Sequence, residues 1–190
     1  MKKRFTLLLM CCAASVAGHS QSSITGIYRS PDDFSHQRLS FPAARHPRLV
    51  IRANTAFYLP YITVIDGRHK TRYLKDSVFG YRTADNTVYR FYAGGAYELL
   101  NPGERPLLYR SAVMPGGRGA RPVYSYYFSE DATASLAPLT RSRVADALGR
   151  DSTFVEQLYE RFRDDDELLQ YDSLHQTYRL SRLYAQLHRR

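Results

Sequence analysis

The chain has 190 residues, a formal net charge of +9, two cysteines and no tryptophan. Hydrophobic residues make up 44% and charged residues 24%, an ordinary globular mixture that excludes a disordered polyanion and a multi-span membrane protein. The length predicts a single folded domain.

Met1-Lys2-Lys3-Arg4 is followed by an uncharged stretch from Phe5 to Gly18 with the apolar core Leu7-Leu8-Leu9-Met10. This is the layout of a secretory signal peptide, and it is too short to stay in a bilayer as a spanning helix. Cleavage is expected near residues 18–21, with 1–20 as the signal and 21–190 as the mature chain in the periplasm or outside the cell. Cys11 and Cys12 leave with the signal, so the mature chain forms no disulfide and depends on its hydrophobic core. Its basic bias is local: residues 21–139 hold 15 Lys plus Arg against 9 Asp plus Glu, whereas 140–190 hold 9 against 9.

Ser30-Pro31-Asp32-Asp33-Phe34 predicts a short helix, with Ser as N-cap, Pro in the first turn and acids at the positive dipole end. The stretch from His36 to Arg48, interrupted by Pro42 and Pro47, reads as extended loop. Short apolar and aromatic runs then predict antiparallel strands at 49–53, 61–65, 70–74, 77–83, 87–92, 96–100, 107–113 and 123–129. Asp66-Gly67, Asp85-Asn86 and Gly94-Gly95 supply hairpin turns, and Asn101-Pro102-Gly103 and Pro115-Gly116-Gly117-Arg118-Gly119 supply longer connections. Short links between strands imply a meander.

From Thr140 the period becomes helical. Thr140 caps a helix over 141–148 that Gly149 stops, and Asp151 caps a second with the stripe Phe154, Val155, Leu158, Tyr159 and Phe162. Arg163-Asp164-Asp165-Asp166-Glu167 opens a third, with Leu168, Tyr171, Leu174, His175 and Tyr178 on one side. Leu180, Leu183, Tyr184 and Leu187 fall about 165° round, so the helix is either buried on two sides or broken near Arg179, and a break is the expectation. The expected fold is α+β: a curved, mostly antiparallel sheet over 21–139, its closure into a partial barrel left open, followed by two or three C-terminal helices over 140–190.

The runs Gly26-Ile27-Tyr28-Arg29-Ser30-Pro31-Asp32-Asp33-Phe34, Phe79-Gly80-Tyr81-Arg82, Val88-Tyr89-Arg90-Phe91 and Tyr97-Glu98-Leu99-Leu100 carry a resemblance, continued by Tyr126-Tyr127-Phe128-Ser129 and Tyr171-Asp172-Ser173-Leu174-His175. The chain resembles a group of small secreted proteins of unknown function from Bacteroidota. That resemblance implies export and one domain, and it assigns no activity and no site residue.

Of the five histidines beyond the signal, His36, His46, His69, His175 and His188, none is paired at metal-ligand spacing, so no metal site is expected. His175 reads as a hydrogen-bonded core histidine. Asp164-Asp165-Asp166-Glu167 lacks the alternating ligands of a calcium loop, no Gly-x-Ser-x-Gly is present, and no cofactor motif is found. Gly116-Gly117-Arg118-Gly119 reads as a hairpin connection and not as a phosphate loop.

Tyrosine beside arginine recurs: Tyr81-Arg82, Tyr89-Arg90 and Tyr109-Arg110. Neighbouring residues of a strand face opposite ways, so each sheet face would take tyrosines from one strand and arginines from the next. Arg82, Arg90, Arg110, Tyr81, Tyr89 and Tyr109 are therefore the candidate binding residues of an exported, non-catalytic interaction module. Its expected partner is an envelope protein, an anionic glycan or a lipid head group, and not nucleic acid. Ordinary packing of half-buried tyrosines and snorkelling arginines explains the same pattern. Two further readings are an envelope hydrolase using Asp76, Asp85 or Glu98 and a small-ligand carrier with a pocket in the curved sheet.

Overall fold

The computed structural model describes residues 25–41, 46, 48–53, 59–113, 115 and 121–188. The expected signal segment, most of the 42–47 loop and the glycine connection at 116–119 lie outside the described residues. In chain order the elements are β1 (Gly26–Tyr28), α1 (Pro31–Ser35), β2 (Leu49–Arg52), β3 (Tyr61–Asp66), β4 (His69–Leu74), β5 (Gly80–Arg82), β6 (Val88–Tyr92) and β7 (Gly95–Leu99). Then follow β8 (Leu107–Val113), β9 (Val123–Ser129), β10 (Ala137–Pro138), α2 (Arg141–Leu148), α3 (Ser152–Arg161), β11 (Tyr171–Asp172), β12 (Thr177–Tyr178) and α4 (Arg179–Leu187). The fold is α+β, mostly antiparallel sheet followed by helices. None of the described sheets closes into a barrel.

The main sheet has the order β1-β5-β6-β7-β8-β9-β10, while β2-β3-β4 form a separate three-stranded sheet. The expected meander is thus split in two. The division comes at a single 3-10 turn, Lys75–Ser77, where the Lys75 N–H donates to the Pro60 carbonyl (2.8 Å). The chain there leaves the small sheet, and Phe79 N–H bonds the Tyr28 carbonyl (2.9 Å) as it joins the large one. The β6–β7 hairpin turns one residue earlier than the glycine pair suggests. Tyr92 pairs with Gly95, so the loop is Ala93-Gly94, with φ of 46° and 76°, the positive values a twisted two-residue turn needs.

The caps form as their sequences dictate. Asp33 N–H donates to Ser30 Oγ (3.1 Å), Arg143 N–H to Thr140 Oγ1 (3.3 Å) and Thr153 N–H to Asp151 Oδ1 (2.9 Å), and α2 stops at Gly149. The third expected helix is corrected. Only its second half is helical, from Arg179, where the break was expected. Its first half is a 3-10 turn (Asp166–Leu169) and the β11–β12 hairpin, in which the rings of Tyr171 and Tyr178 meet edge to face at 5.4 Å.

Strand register separates the faces of the main sheet. One face carries two covers. At one end Ile27, Tyr81 and Phe91 pack with Ile62 and Val64 of the small sheet; at the other Leu108 and Phe128 pack with Val144, Phe154, Leu158 and Leu180 of the helices. On the opposite face Tyr28, Val88, Leu99, Leu107 and Tyr109 gather Phe79 and Ala132, with Phe34 and Leu136 at the margin.

Candidate binding site

The covers of the first face leave a strip between them, and strand pairing lays one cross-strand row along it. Tyr81 stands opposite Tyr89, Tyr89 opposite Glu98, Glu98 opposite Arg110, and Arg110 opposite Tyr126. Tyr81 and Tyr89 stack at 4.8 Å with an interplanar angle of 8°. The Arg110 guanidinium grips Glu98 with two parallel bonds, Nε to Oε2 (2.9 Å) and the terminal nitrogen to Oε1 (2.7 Å), the strong fork geometry of this pair. Its carbon lies 5.1 Å from the centre of the Tyr124 ring, within cation–π range. Tyr124 and Tyr126 are exposed, while Tyr89, Glu98 and Arg110 are half-buried.

The electrostatics agree with one shared environment. Hydrogen bonding to Glu98 raises the pKa of Arg110. Burial first, then the Glu98 and Asp85 carboxylates, pushes the Tyr89 phenol up, with Arg110 opposing. Burial likewise raises Tyr178, which also feels the charge of Arg110, so the β11–β12 hairpin borders the strip.

Of the six candidate residues, Tyr81, Tyr89 and Arg110 share this face. Arg82, Arg90 and Tyr109 belong to the opposite one. Each face thus takes tyrosines from one strand and arginine from another, as the alternation implies; on this face Arg110 is neutralised by Glu98, and Tyr81 is buried. Arg90 is only 4% exposed and donates to Tyr109 Oη (3.4 Å), Ser129 Oγ (3.2 Å) and the Ala134 carbonyl (2.8 Å). Its guanidinium carbon lies 5.0 Å from the centre of Phe79 and 5.5 Å from that of Tyr92. Arg90 and Tyr109 thus pin the segment after β9 onto the sheet, and both are buried there. Arg82, half-buried, lies against Tyr28 at 5.8 Å.

The carboxylates considered for hydrolysis lie in unlike settings. Glu98 is clamped by Arg110, and Asp76 is exposed beside Lys75. Asp85 accepts from the Thr87 hydroxyl (2.9 Å), and hydrogen bonds from Thr83 and Thr87 hold it below the usual carboxylate range, opposite to what a general acid needs.

His175 is corrected as well: it is exposed at the hairpin turn. Its Nδ1 lies 2.8 Å from Asp172 Oδ2, which also accepts from Arg182 (2.6 Å). Desolvation works against the Asp172 charge, yet bonds from His175 and Arg182 hold its carboxyl below the ordinary range. Sequence reasoning missed this cluster, although Asp three residues before His in a polar run is an Asx-turn signal. Among the described residues no three His, Cys, Asp or Glu side chains converge in a metal-sized group. No family model, curated protein or solved structure matches the chain.

Proposed function

We infer that the chain is a non-catalytic binding module, exported after loss of residues 1–20, that holds a neutral glycan segment along the row Tyr89–Glu98–Arg110–Tyr126. One observation carries this reading: a self-neutralised, bidentate Arg110–Glu98 pair lies half-exposed in strand register with exposed tyrosines beside it. The remaining guanidinium N–H groups and carboxylate lone pairs are rigid, coplanar donors and acceptors of the kind that matches adjacent hydroxyls. Tyr124 and Tyr126 offer flat apolar rings with polar tips at low entropic cost. An anionic partner fits this strip less well, because Arg110 already has its counter-charge.

Calorimetric titration against neutral and acidic oligosaccharides, at low and high salt, tests the reading. Binding should favour neutral glycans and change little with salt. Tyr124→Ala and Tyr126→Ala should each weaken it by about two- to tenfold, the equivalent of about 0.5–1.5 kcal/mol for a lost ring contact. Binding confined to acidic glycans and abolished by salt would favour the anionic partner instead; indifference to both tyrosines would remove the site. N-terminal sequencing of the exported protein should find a start near residues 18–21.

A further inference from the structure

On the opposite face a cavity of about 200 Å³ is lined by Tyr28, Phe34, Arg82, Arg105, Leu107 and Asp131, among others. Two polar atoms of residues in its lining, Tyr28 Oη and Arg82 Nε, are buried and have no hydrogen-bond partner among the described residues. Tyr28 is 0% exposed. Buried polar groups are nearly always satisfied, and an orphaned pair in one cavity wall calls for an explanation. Burial pushes the Tyr28 phenol up, the charge of Arg82 and the nearness of its guanidinium to the hydroxyl only partly opposing, so the hydroxyl keeps the proton it can donate.

The acids nearby are occupied. Glu104 accepts from the Thr177 hydroxyl (2.9 Å), and Asp131 Oδ1 accepts from Thr133 N–H (2.8 Å), the Thr133 hydroxyl (2.7 Å) and Ala134 N–H (3.0 Å). Neither Arg82 nor Arg105 has an ion pair among the described residues. The cavity thus has donors in excess at one wall, and Phe34, Val88, Leu99 and Leu107 as apolar surface elsewhere.

We propose that this cavity binds a small carboxylic acid, its carboxylate held by the Arg82 guanidinium and the Tyr28 hydroxyl, with Arg105 at the rim and its short carbon chain on the apolar wall. Guanidinium and carboxylate match as fork to fork. At about 30 Å³ per water-sized volume, the space suits a molecule of roughly seven heavy atoms. The site stands apart from the glycan strip and does not depend on it.

The test is calorimetry and thermal denaturation of the purified protein with acetate, lactate and succinate, against acetamide, lactamide and succinamide, and against inorganic phosphate. At least one carboxylate should bind and raise the melting temperature, as ligand binding to the folded state requires, and its amide should not. Arg82→Gln and Arg105→Gln should each weaken binding by about tenfold or more; the exposed Arg105 variant guards against a folding defect. Tyr28→Phe should abolish the ligand-induced shift yet leave the unliganded melting temperature equal or higher, because it deletes an unpaired hydroxyl. No shift with any of the three acids at millimolar concentration overturns the proposal. So does equal binding of the amides, binding of phosphate alone, or carboxylate binding unchanged in Arg82→Gln.

Discussion

Asn101 joins three parts of the fold, and its removal should be costly. It is 3% exposed; its Nδ2 donates to the Pro106 carbonyl (2.7 Å) and Ser181 Oγ (3.0 Å), and its Oδ1 accepts from Leu108 N–H (2.7 Å). The loop after β7, the start of β8 and the helix α4 therefore meet on one side chain. Asn101→Ala leaves the Leu108 N–H and the Pro106 carbonyl unpaired at a buried site, at about 1–3 kcal/mol each. A central loss of about 4 kcal/mol corresponds to a fall in melting temperature of roughly 8–16 °C for a chain of this size. Asn101→Asp keeps the acceptor for Leu108 but turns an oxygen toward the Pro106 carbonyl, and burial pushes the introduced carboxyl up. The unfolded chain then releases that proton at lower pH than the folded one. The folded state loses ground as pH rises through the ordinary carboxylate range, and the deficit is smaller below it. Urea denaturation of the three proteins at pH ~4 and ~7 measures both effects. A loss under about 1 kcal/mol for Asn101→Ala, or a deficit of Asn101→Asp that grows toward acid relative to the unmodified protein, refutes the reasoning.

Two other outcomes follow from backbone space and from phenol burial. A Cβ on Gly80 would lie 2.1 Å from the Tyr89 carbonyl oxygen, so Gly80→Ala must part β5 from β6 and should cost about 3 kcal/mol. Gly94→Ala meets no atom of the described residues but sits at φ +76° and should cost only about 1 kcal/mol by the same thermal melt. Tyr28, Tyr81, Tyr89, Tyr97, Tyr178 and Tyr184 are all raised, by burial first. In the unfolded chain they ionise near the ordinary value of about 10, so the stability they confer is intact below that pH and lost as pH rises above it. Exposed phenols such as Tyr124 and Tyr126 ionise first, and the tyrosinate absorbance of the buried ones should follow late, together with loss of the folded circular-dichroism signal; ionisation of every tyrosine in one early rise of the folded state would contradict their burial.

Local signals were legible in the sequence where one residue type has one job. Ser30, Thr140, Asp151 and Gly149 sit where cap chemistry places them, and the strands at 107–113 and 123–129 match β8 and β9. The false helix over 163–178 shows the opposite case. Leu168, Tyr171, Leu174 and Tyr178 keep helical spacing, yet Leu168 is buried under the helices, Tyr171 and Tyr178 pair across a hairpin, and Leu174 is 86% exposed at its turn. Periodicity alone cannot separate these fates when Asp172 accepts from the Leu174 and His175 N–H groups and so stabilises a turn. The site was half legible for a similar reason. Alternation along a strand puts Tyr89 and Arg90 on opposite faces, but only strand register places Glu98 opposite Arg110 and cancels the charge. Nothing in the composition marks Arg90 as the buried one, since arginines are seldom buried.

The short outer strands of the main sheet set how copies of this protein can meet. At one border β1 is three residues long, and Ser40 already exchanges hydrogen bonds with Ile27. At the other, β10 is two residues long and ends in Pro138, which has no N–H to offer. Among the described residues, the unpaired outer side of β9 beyond β10 includes residues 123–125. A run that short gives an incoming strand few hydrogen bonds. Crowding of many copies should therefore not zip one main sheet onto the next, even though the main sheet itself is open.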